Sequence, residues 1–287
     1  MATRRRPSAN TKKSSRLRTF VRRVFLFMLF ILLLDVAYLW WLMPNWNELA
    51  KGAVPKSAFI ANYEEQRAED AKLPKLRWQP VPLAAIAKPM RRAVIVAEDS
   101  RFYEHDGFDV AALQDAWEYN LERRKMAIGG STLSQQLAKN LFLTPSRNPL
   151  RKWHEIWLTL IMERQLPKRR ILELYLNVAE FGPGIYGVEA ASRHYWGIST
   201  SQLSTQQAIE LAATLPGPKK HNPATRTRFF QNKVNKIGRH MRVGAATRPT
   251  PVQVLAPVAE SAPAPDSAPA PELIPEPVLE PAPEPIQ

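Results

Sequence analysis

The sequence predicts a mainly α-helical domain preceded by one transmembrane helix. Two observations lead to this prediction. A run of twenty almost wholly apolar residues lies near the N-terminus, and apolar residues recur at intervals of three and four through much of the middle of the chain. Sustained alternation of apolar and polar residues, which is typical of half-buried strands, is absent from the folded region.

The apolar run, residues 24–43, is long enough to span about 30 Å of hydrocarbon as a helix. Thirteen of its twenty residues are Val, Leu, Ile or Phe. Their summed preference for the bilayer, on the order of 4–8 kcal/mol, exceeds the roughly 3 kcal/mol cost of Asp35. Residues 1–23 carry nine bases and no acid, which predicts a cytoplasmic N-terminus and an external domain.

A cleaved signal peptide is the alternative interpretation of residues 24–43. The run is long for that purpose, and bulky Trp and Met follow it where a cleavage site needs small residues. Asp35 leaves two possibilities open, because an intramembrane carboxylate either contacts a partner helix or is accommodated alone.

Three regions follow the predicted anchor. Residues 44–89 are predicted to connect it to the domain, because prolines interrupt any long helical period there. Residues 90–245 form the predicted catalytic domain. Residues 246–287 hold twelve of the 26 prolines among Ala, Val and Glu, which predicts an extended, disordered tail.

Within the predicted domain, apolar spacing indicates helices over 149–166, 169–177 and 187–196. Ser204 and Gln207 form a capping-box pattern, which predicts a further helix that ends before Pro216.

The formal net charge is +14, and removing the nine N-terminal bases and the six acids after Arg248 leaves +11 for residues 24–248. A basic domain needs an anionic partner, such as nucleic acid, lipid head groups or a phosphorylated substrate. Because the predicted span places the domain outside the cell, nucleic acid is not expected. The absence of cysteine excludes disulfides, a thiol nucleophile and Cys-ligated metal.

The first chemistry-bearing segment, residues 97–109, is a dense cluster of carboxylates with one histidine after an apolar stretch. A carboxylate beside buried apolar residues can have a raised pKa and act as a general base. A solvated acidic loop, or a hard-cation site of Asp99, Asp106 and Asp109, is the alternative.

The second segment, residues 129–140, begins with two glycines and a hydroxyl-rich turn that opens a helix. Free backbone N–H groups there could face an anion, and the hydroxyl and amide side chains suit sugars. The third segment, residues 147–155, sets three bases and a histidine around Glu155, which could bind a pyrophosphate. An ordinary capped amphipathic helix and a solvated charged face are the respective alternatives.

These segments, together with 168–177 and 186–197, resemble the five signature blocks of the family 51 peptidoglycan glycosyltransferases, in order over roughly residues 90–215. The resemblance implies a lysozyme-like helical fold with a head lobe and a smaller jaw beside the membrane. It also implies polymerisation of lipid II onto a growing glycan strand by inverting transfer. The products would be a β-1,4 glycan and undecaprenyl pyrophosphate.

By block position, the resemblance implies that Glu98 is the general base for the acceptor hydroxyl and that Glu155 is a second carboxylate near the donor's pyrophosphate. The implied substrate-binding residues are Ser131, Thr132, Gln135, Gln136, Lys139, Asn140, Arg147, Arg151 and Lys152. No metal-ligand set is predicted, although Mg or Mn is compatible with the pyrophosphate.

This sequence departs from the family pattern at two positions. Asp115 stands where a basic residue is common, and Arg123, Arg124 or Lys125 could substitute for it. His154 stands where a lysine is common.

A lysozyme-like lytic enzyme and a binding protein without activity are the alternative functions, and intact Glu98 and Glu155 argue against the second. A bifunctional enzyme with a transpeptidase domain is not expected, because no Ser-x-x-Lys or Lys-Thr-Gly occurs. Expected partners are lipid II, the glycan strand and phospholipid, with divisome or elongation proteins as further candidates. The expected location is the bacterial cytoplasmic (inner) membrane, with the catalytic domain in the periplasm.

Overall fold

The computed structural model describes residues 9–122, 130–145 and 150–241. The predicted tail, Arg147 and the bases at 123–125 therefore lie outside the described residues. The first helix, α1, runs over Ala9–Leu42, and its Arg18–Leu42 part is long and apolar enough to cross a membrane. Its apolar side chains are largely exposed, which fits a single-pass membrane anchor.

The prediction of a mainly helical fold is confirmed. After α1, the described residues form ten more helices: α2 (Trp46–Lys51), α3 (Ala58–Glu69), α4 (Lys88–Glu98), α5 (Val110–Glu122), α6 (Leu133–Phe142), α7 (Leu150–Gln165), α8 (Lys168–Val178), α9 (Val188–Trp196), α10 (Thr205–Thr214) and α11 (Arg228–His240).

The helix predicted from the capping-box pattern is α10, and both reciprocal bonds of that box are present. Ser204 Oγ accepts a hydrogen bond from the Gln207 backbone N–H at 3.2 Å, and Gln207 Oε1 accepts one from the Ser204 N–H at 2.9 Å. Two backbone donors that the helix leaves unpaired are thereby satisfied, so the helix begins where the sequence predicts.

The core of the domain lies between α4, α6, α8 and α10, with α6 and α8 packed side by side and α10 against α4. Val94, Leu137, Leu174 and Ile209 are fully buried. Each such side chain contributes about 1.5–3 kcal/mol through burial, so these four helices form a rigid frame. The chemistry-bearing ends of α4 and α6 are held on that frame.

A three-stranded sheet lies at one edge of the helical core. Its strands are β1 (Arg77–Trp78), β2 (Glu180–Gly182) and β3 (Ile185–Tyr186), in the order β1-β3-β2. β1 runs parallel to β3, and β2 pairs antiparallel with β3. Strands of two or three residues are too short to show alternation, which is why the sequence pattern did not predict them.

The segment 44–89 is more than a connection. Ile60 and Tyr63 of α3 are buried against Tyr186, and Trp78 donates from Nε1 to the Asn177 carbonyl at 2.9 Å. The prolines in this segment divide it into short elements, and each of these buries apolar residues against the domain. We therefore place the beginning of the domain before residue 90.

Candidate active site

Glu98 is the last residue of α4, where the helix presents the side chain to a cleft. Its Oε2 accepts a hydrogen bond from Nε2 of Gln136 at 2.8 Å. Gln136 Oε1 in turn accepts one from the hydroxyl of Tyr175, a buried residue of α8, at 3.0 Å. Because Tyr175 fixes which end of the amide faces Glu98, the carboxylate receives a donor and is held in one orientation.

Burial raises the pKa of Glu98, because desolvation disfavours the charged form, and the negative charge of Asp99 adds to the rise. The hydrogen bond from Gln136 and the charges of Lys233 and Lys139 act in the opposite direction without cancelling it. This direction agrees with the raised pKa that the apolar stretch before Glu98 predicts. A carboxylate of raised pKa is a stronger base once deprotonated.

The cleft beside Glu98 brings together residues from three parts of the chain. Its lining includes Glu98 at the end of α4 and Ser100 just after it, Asp109 just before α5, and Ser131 and Thr132 from the turn before α6. Ser131 is exposed to the cleft, whereas Thr132 is buried and donates from Oγ1 to the Gly107 carbonyl at 2.6 Å.

The beginning of α6 differs from the prediction of free backbone N–H groups facing a ligand. Thr132 is the N-cap, and it forms a capping box with Gln135. The Leu133 N–H donates to Oδ2 of Asp99 at 3.0 Å. Asp99 therefore occupies the position that an anionic ligand would take, and its charge compensates the positive end of the helix dipole. Thr132 and Gln135 use their polar atoms to hold the wall of the cleft.

The acidic loop is also paired internally. Asp99 Oδ1 lies 2.9 Å from Nε2 of His105, and Arg101 donates to both oxygens of Asp109, at 2.7 and 2.8 Å. Burial would raise the pKa of Asp109, but the Ala112 N–H and Arg101 outweigh it, so this pKa is lowered.

Ligand atoms of Asp99, His105 and Asp109 come within 4.8 Å of one another, a spacing that could hold a metal ion. Asp106, which the cation alternative included, is exposed and lies outside this group. In the structure Arg101 pairs with Asp109, and Asp99 accepts a hydrogen bond from the Leu133 N–H, so both carboxylates of this group already have partners within the protein.

A second charged group lies on α7 and the middle of α6. Glu155 is buried and forms an ion pair with Lys152, three residues earlier on α7. Arg151 Nε is buried and has no hydrogen-bond partner among the described residues. Asn140 is half-buried next to Lys139 in the sequence.

The pKa of Lys139 depends on both carboxylates, Glu98 and Glu155. Burial lowers the pKa of this lysine, and the positive charges of Arg151 and Lys152 lower it further. The negative charges of Glu155 and Glu98 oppose the change. Chemically, the arrangement offers a base at one end and a group of cations for a leaving anion at the other.

Some contacts at the site were not predicted. Tyr175 and Lys233 lie 77 and 135 residues after Glu98 in the chain, and no local pattern connects residues so far apart. Asp35, for which contact with a partner helix is one possibility, contacts His154 and Trp153 of α7 in the same chain. Asp115 is exposed on α5.

Comparison with known proteins identifies the family of this chain. The family model described as transglycosylase matches residues 66–242, which begins inside the segment that packs on the domain. A biosynthetic peptidoglycan transglycosylase of Nitrosospira multiformis is 41% identical over 215 residues, covering 75% of this chain and 92% of the relative. One from Laribacter hongkongensis is 39% identical over 216 residues, covering 75% and 91%. Another, from Thiobacillus denitrificans, is 48% identical over 173 residues, covering 60% and 75%. The chain belongs to the transglycosylase family.

Proposed function

We propose that this peptidoglycan glycosyltransferase of cell-wall synthesis polymerises lipid II into β-1,4-linked glycan strands by inverting transfer, with release of undecaprenyl pyrophosphate. The observation that carries the proposal is the half-buried Glu98, oriented by Gln136, in a chain of the transglycosylase family. Helix α6, which supplies Gln136, also supplies Lys139, and the charges of Glu98 and Glu155 both act to raise the pKa of this lysine.

On the acceptor side, Glu98 takes the proton from the sugar hydroxyl as the oxygen attacks. The hydroxyl is a poor nucleophile without a base, and a carboxylate of raised pKa is suited to that task. Because Oε2 of Glu98 accepts the hydrogen bond from Gln136, we assign Oε1 of Glu98 to accept the proton. Ser131, exposed in the same cleft, offers a hydroxyl to the sugar.

On the donor side, the bond from the sugar's anomeric carbon to the pyrophosphate oxygen breaks as the acceptor oxygen bonds to that carbon. Both electrons leave with the pyrophosphate. Its growing charge is met by Lys139, Arg151 and Lys152, because charge-assisted donors stabilise a developing anion. Arg147, next to this group in sequence, is assigned to the same role. Buried Glu155 keeps Lys152 in place through their ion pair.

The apolar surface of the domain fits a substrate that is held in a bilayer. Large apolar side chains are exposed on α5 and on the first two turns of α7: Val110, Leu113, Trp117, Leu121, Leu150, Trp153 and Trp157. Exposed apolar side chains in such numbers mark an interaction site for lipid or protein. We assign it to the membrane-facing jaw, with α1 as a single-pass anchor in the inner membrane and the domain in the periplasm.

Incubation of the purified full-length protein in bilayers with labelled lipid II tests the proposal against the lytic alternative. A parallel reaction contains preformed, labelled cell wall. The proposal predicts long glycan from lipid II and no soluble fragments from the wall. Soluble fragments without polymer would support the lytic enzyme instead.

A further inference from the structure

Asp35 and His154 contact each other, and each is an unusual residue type at its position. Asp35 is a carboxylate within the apolar run of α1, and His154 stands in the cationic segment of α7. His154 Nε2 lies 2.6 Å from Asp35 Oδ1, and Trp153 donates from Nε1 to Asp35 Oδ2 at 3.1 Å. Tyr38, about one turn along α1, packs its ring 5.3 Å from that of His154. Both carboxylate oxygens are therefore engaged within this chain.

The depth of Asp35 makes this contact important. Asp35 lies seven residues before Leu42, the last residue of α1, which is about 10 Å along a helix, so it lies in the outer part of the hydrocarbon. A carboxylate inside the hydrocarbon is unfavourable unless it has partners, so α1 favours a state in which α7 supplies them. His154 is buried in this contact, as expected for a group that is withdrawn from both water and lipid.

The contact reaches the cationic group through a single helix. His154 immediately precedes Glu155, and Lys152 lies two residues before His154, so residues 152–155, about one turn of α7, carry both the membrane contact and the ion pair. Because a helix is stiff over one turn, fixing Trp153 and His154 against α1 also fixes the height of Lys152 and Glu155 relative to the bilayer surface. The pyrophosphate of a lipid-linked donor lies at the bilayer surface, so this height decides whether the cations reach it.

We propose that Asp35 is a positioning residue for the transferase reaction. Through His154 and Trp153 it docks α1 on α7 and sets the cations at the height of the donor pyrophosphate. Asp35 itself touches no substrate. This inference rests on the proposed function, because it needs a donor held in the membrane.

Steady-state kinetics of the full-length protein in lipid bilayers, with lipid II as substrate, test the role. Asp35→Ala is expected to raise KM about tenfold, with kcat changed less than about threefold, since the cations are misplaced and not removed. Leu33→Ala is the matched control, because Leu33 is exposed and lies about 200° around the helix from Asp35. It should leave both constants unchanged.

A conservative variant separates positioning from general damage. In His154→Lys the new cation can still pair with Asp35, so KM should stay within about twofold of that of the unsubstituted protein. In the double variant Asp35→Ala/His154→Ala, the rise in KM should be no larger than in Asp35→Ala alone. Either substitution removes the same contact between Asp35 and His154.

The docking can also be measured without activity. Since the chain has no cysteine, nitroxide labels can be placed on Leu34→Cys in α1 and Gln165→Cys at the end of α7, both exposed positions. The label-to-label distance distribution should be narrow in the otherwise unsubstituted protein and broad when Asp35→Ala is added.

An unchanged KM in Asp35→Ala overturns the proposal. A loss of kcat alone also overturns it, because that result is expected when a smaller fraction of the protein is folded. A label distance that stays narrow in Asp35→Ala overturns it as well. If the unsubstituted protein makes no glycan from lipid II, the proposed function itself fails, and this outcome is seen before any variant is compared.

Discussion

Nε2 of Gln136 lies 2.8 Å from Oε2 of Glu98 and donates a hydrogen bond to it. The two residues come from α6 and α4, and 38 positions separate them in the chain. This bond stabilises the charged form of a carboxylate whose burial favours the neutral form. The balance between these two effects sets the pH at which Glu98 can act as a base.

Replacing Gln136 with Leu should move the acidic limb of the pH–rate profile to higher pH. The amide lowers the pKa of Glu98, so its removal raises that pKa, and more of the carboxylate is protonated at low pH. The pH dependence of kcat/KM measures the effect, since it reports on the free enzyme. Tyr175→Phe, which leaves the amide in place, should shift the limb less. An acidic limb that stays in place in Gln136→Leu would remove Gln136 from this role.

Loss of a cation near Glu155 should weaken donor binding. Lys139→Met and Arg151→Ala are each expected to raise KM for lipid II by about ten- to hundredfold, which corresponds to roughly 1.5–3 kcal/mol for a hydrogen bond to a charged group. Lys236→Ala, an exposed lysine of α11, is the control. Equal KM values for all three variants would contradict the assignment of the pyrophosphate to this group.

The turn from β3 to α9 should tolerate only glycine at position 187. Gly187 has φ +80°, and an added Cβ would lie 2.7 Å from the Asn177 carbonyl oxygen. Gly197 has a similar φ of +70° with open space around it. Gly197→Ala should therefore lose about 1–2 kcal/mol of unfolding free energy from backbone strain alone, and Gly187→Ala should lose more. Thermal unfolding of both variants measures the difference, and equal losses would show that the Asn177 contact does not matter.

Stability should depend on pH through Glu180. Burial raises the pKa of this carboxyl from 4.5 to about 7, against a lowering effect of Lys219. Because the folded protein holds this proton more tightly than the unfolded chain, the contribution is fully present below pH 4.5 and is lost as the pH rises through about 7. Its size is on the order of 3 kcal/mol.

Glu180→Gln should therefore be more stable than the unsubstituted protein at pH 8, with little difference at pH 5. Thermal unfolding at the two pH values measures this. Glu65→Gln, at an exposed position of α3, should not change the pH dependence. A Glu180→Gln variant that loses stability with pH as steeply as the unsubstituted protein would contradict the argument.

The sequence predicted the features that depend on local patterns. The apolar run gave α1, spacing gave α7, α8 and α9, and the reciprocal Ser204 and Gln207 pattern located the start of α10. The apolar stretch before Glu98 also predicted the direction of its pKa, because burial depends largely on neighbouring residues.

Features that depend on distant contacts were not predictable in this way. α3 and the sheet depend on partners such as Tyr186 and Asn177 more than 100 residues from α3. The Tyr175 hydroxyl and the Asp99 carboxylate acquire their roles only when α8 and α6 pack beside α4. Asp35 and His154, 119 residues apart, stood out separately in the sequence, and only the fold shows that they are partners.

The most direct measurement of the central claim is polymerisation of labelled lipid II by Glu98→Gln, alongside its affinity for lipid II. Glutamine keeps the shape and hydrogen bonding of the side chain but cannot take a proton. Turnover is expected to fall by at least about 100-fold, the scale of general-base catalysis, with lipid II affinity within about threefold of that of the unsubstituted protein. Near-normal glycan synthesis by Glu98→Gln would contradict the assignment of Glu98 as the base.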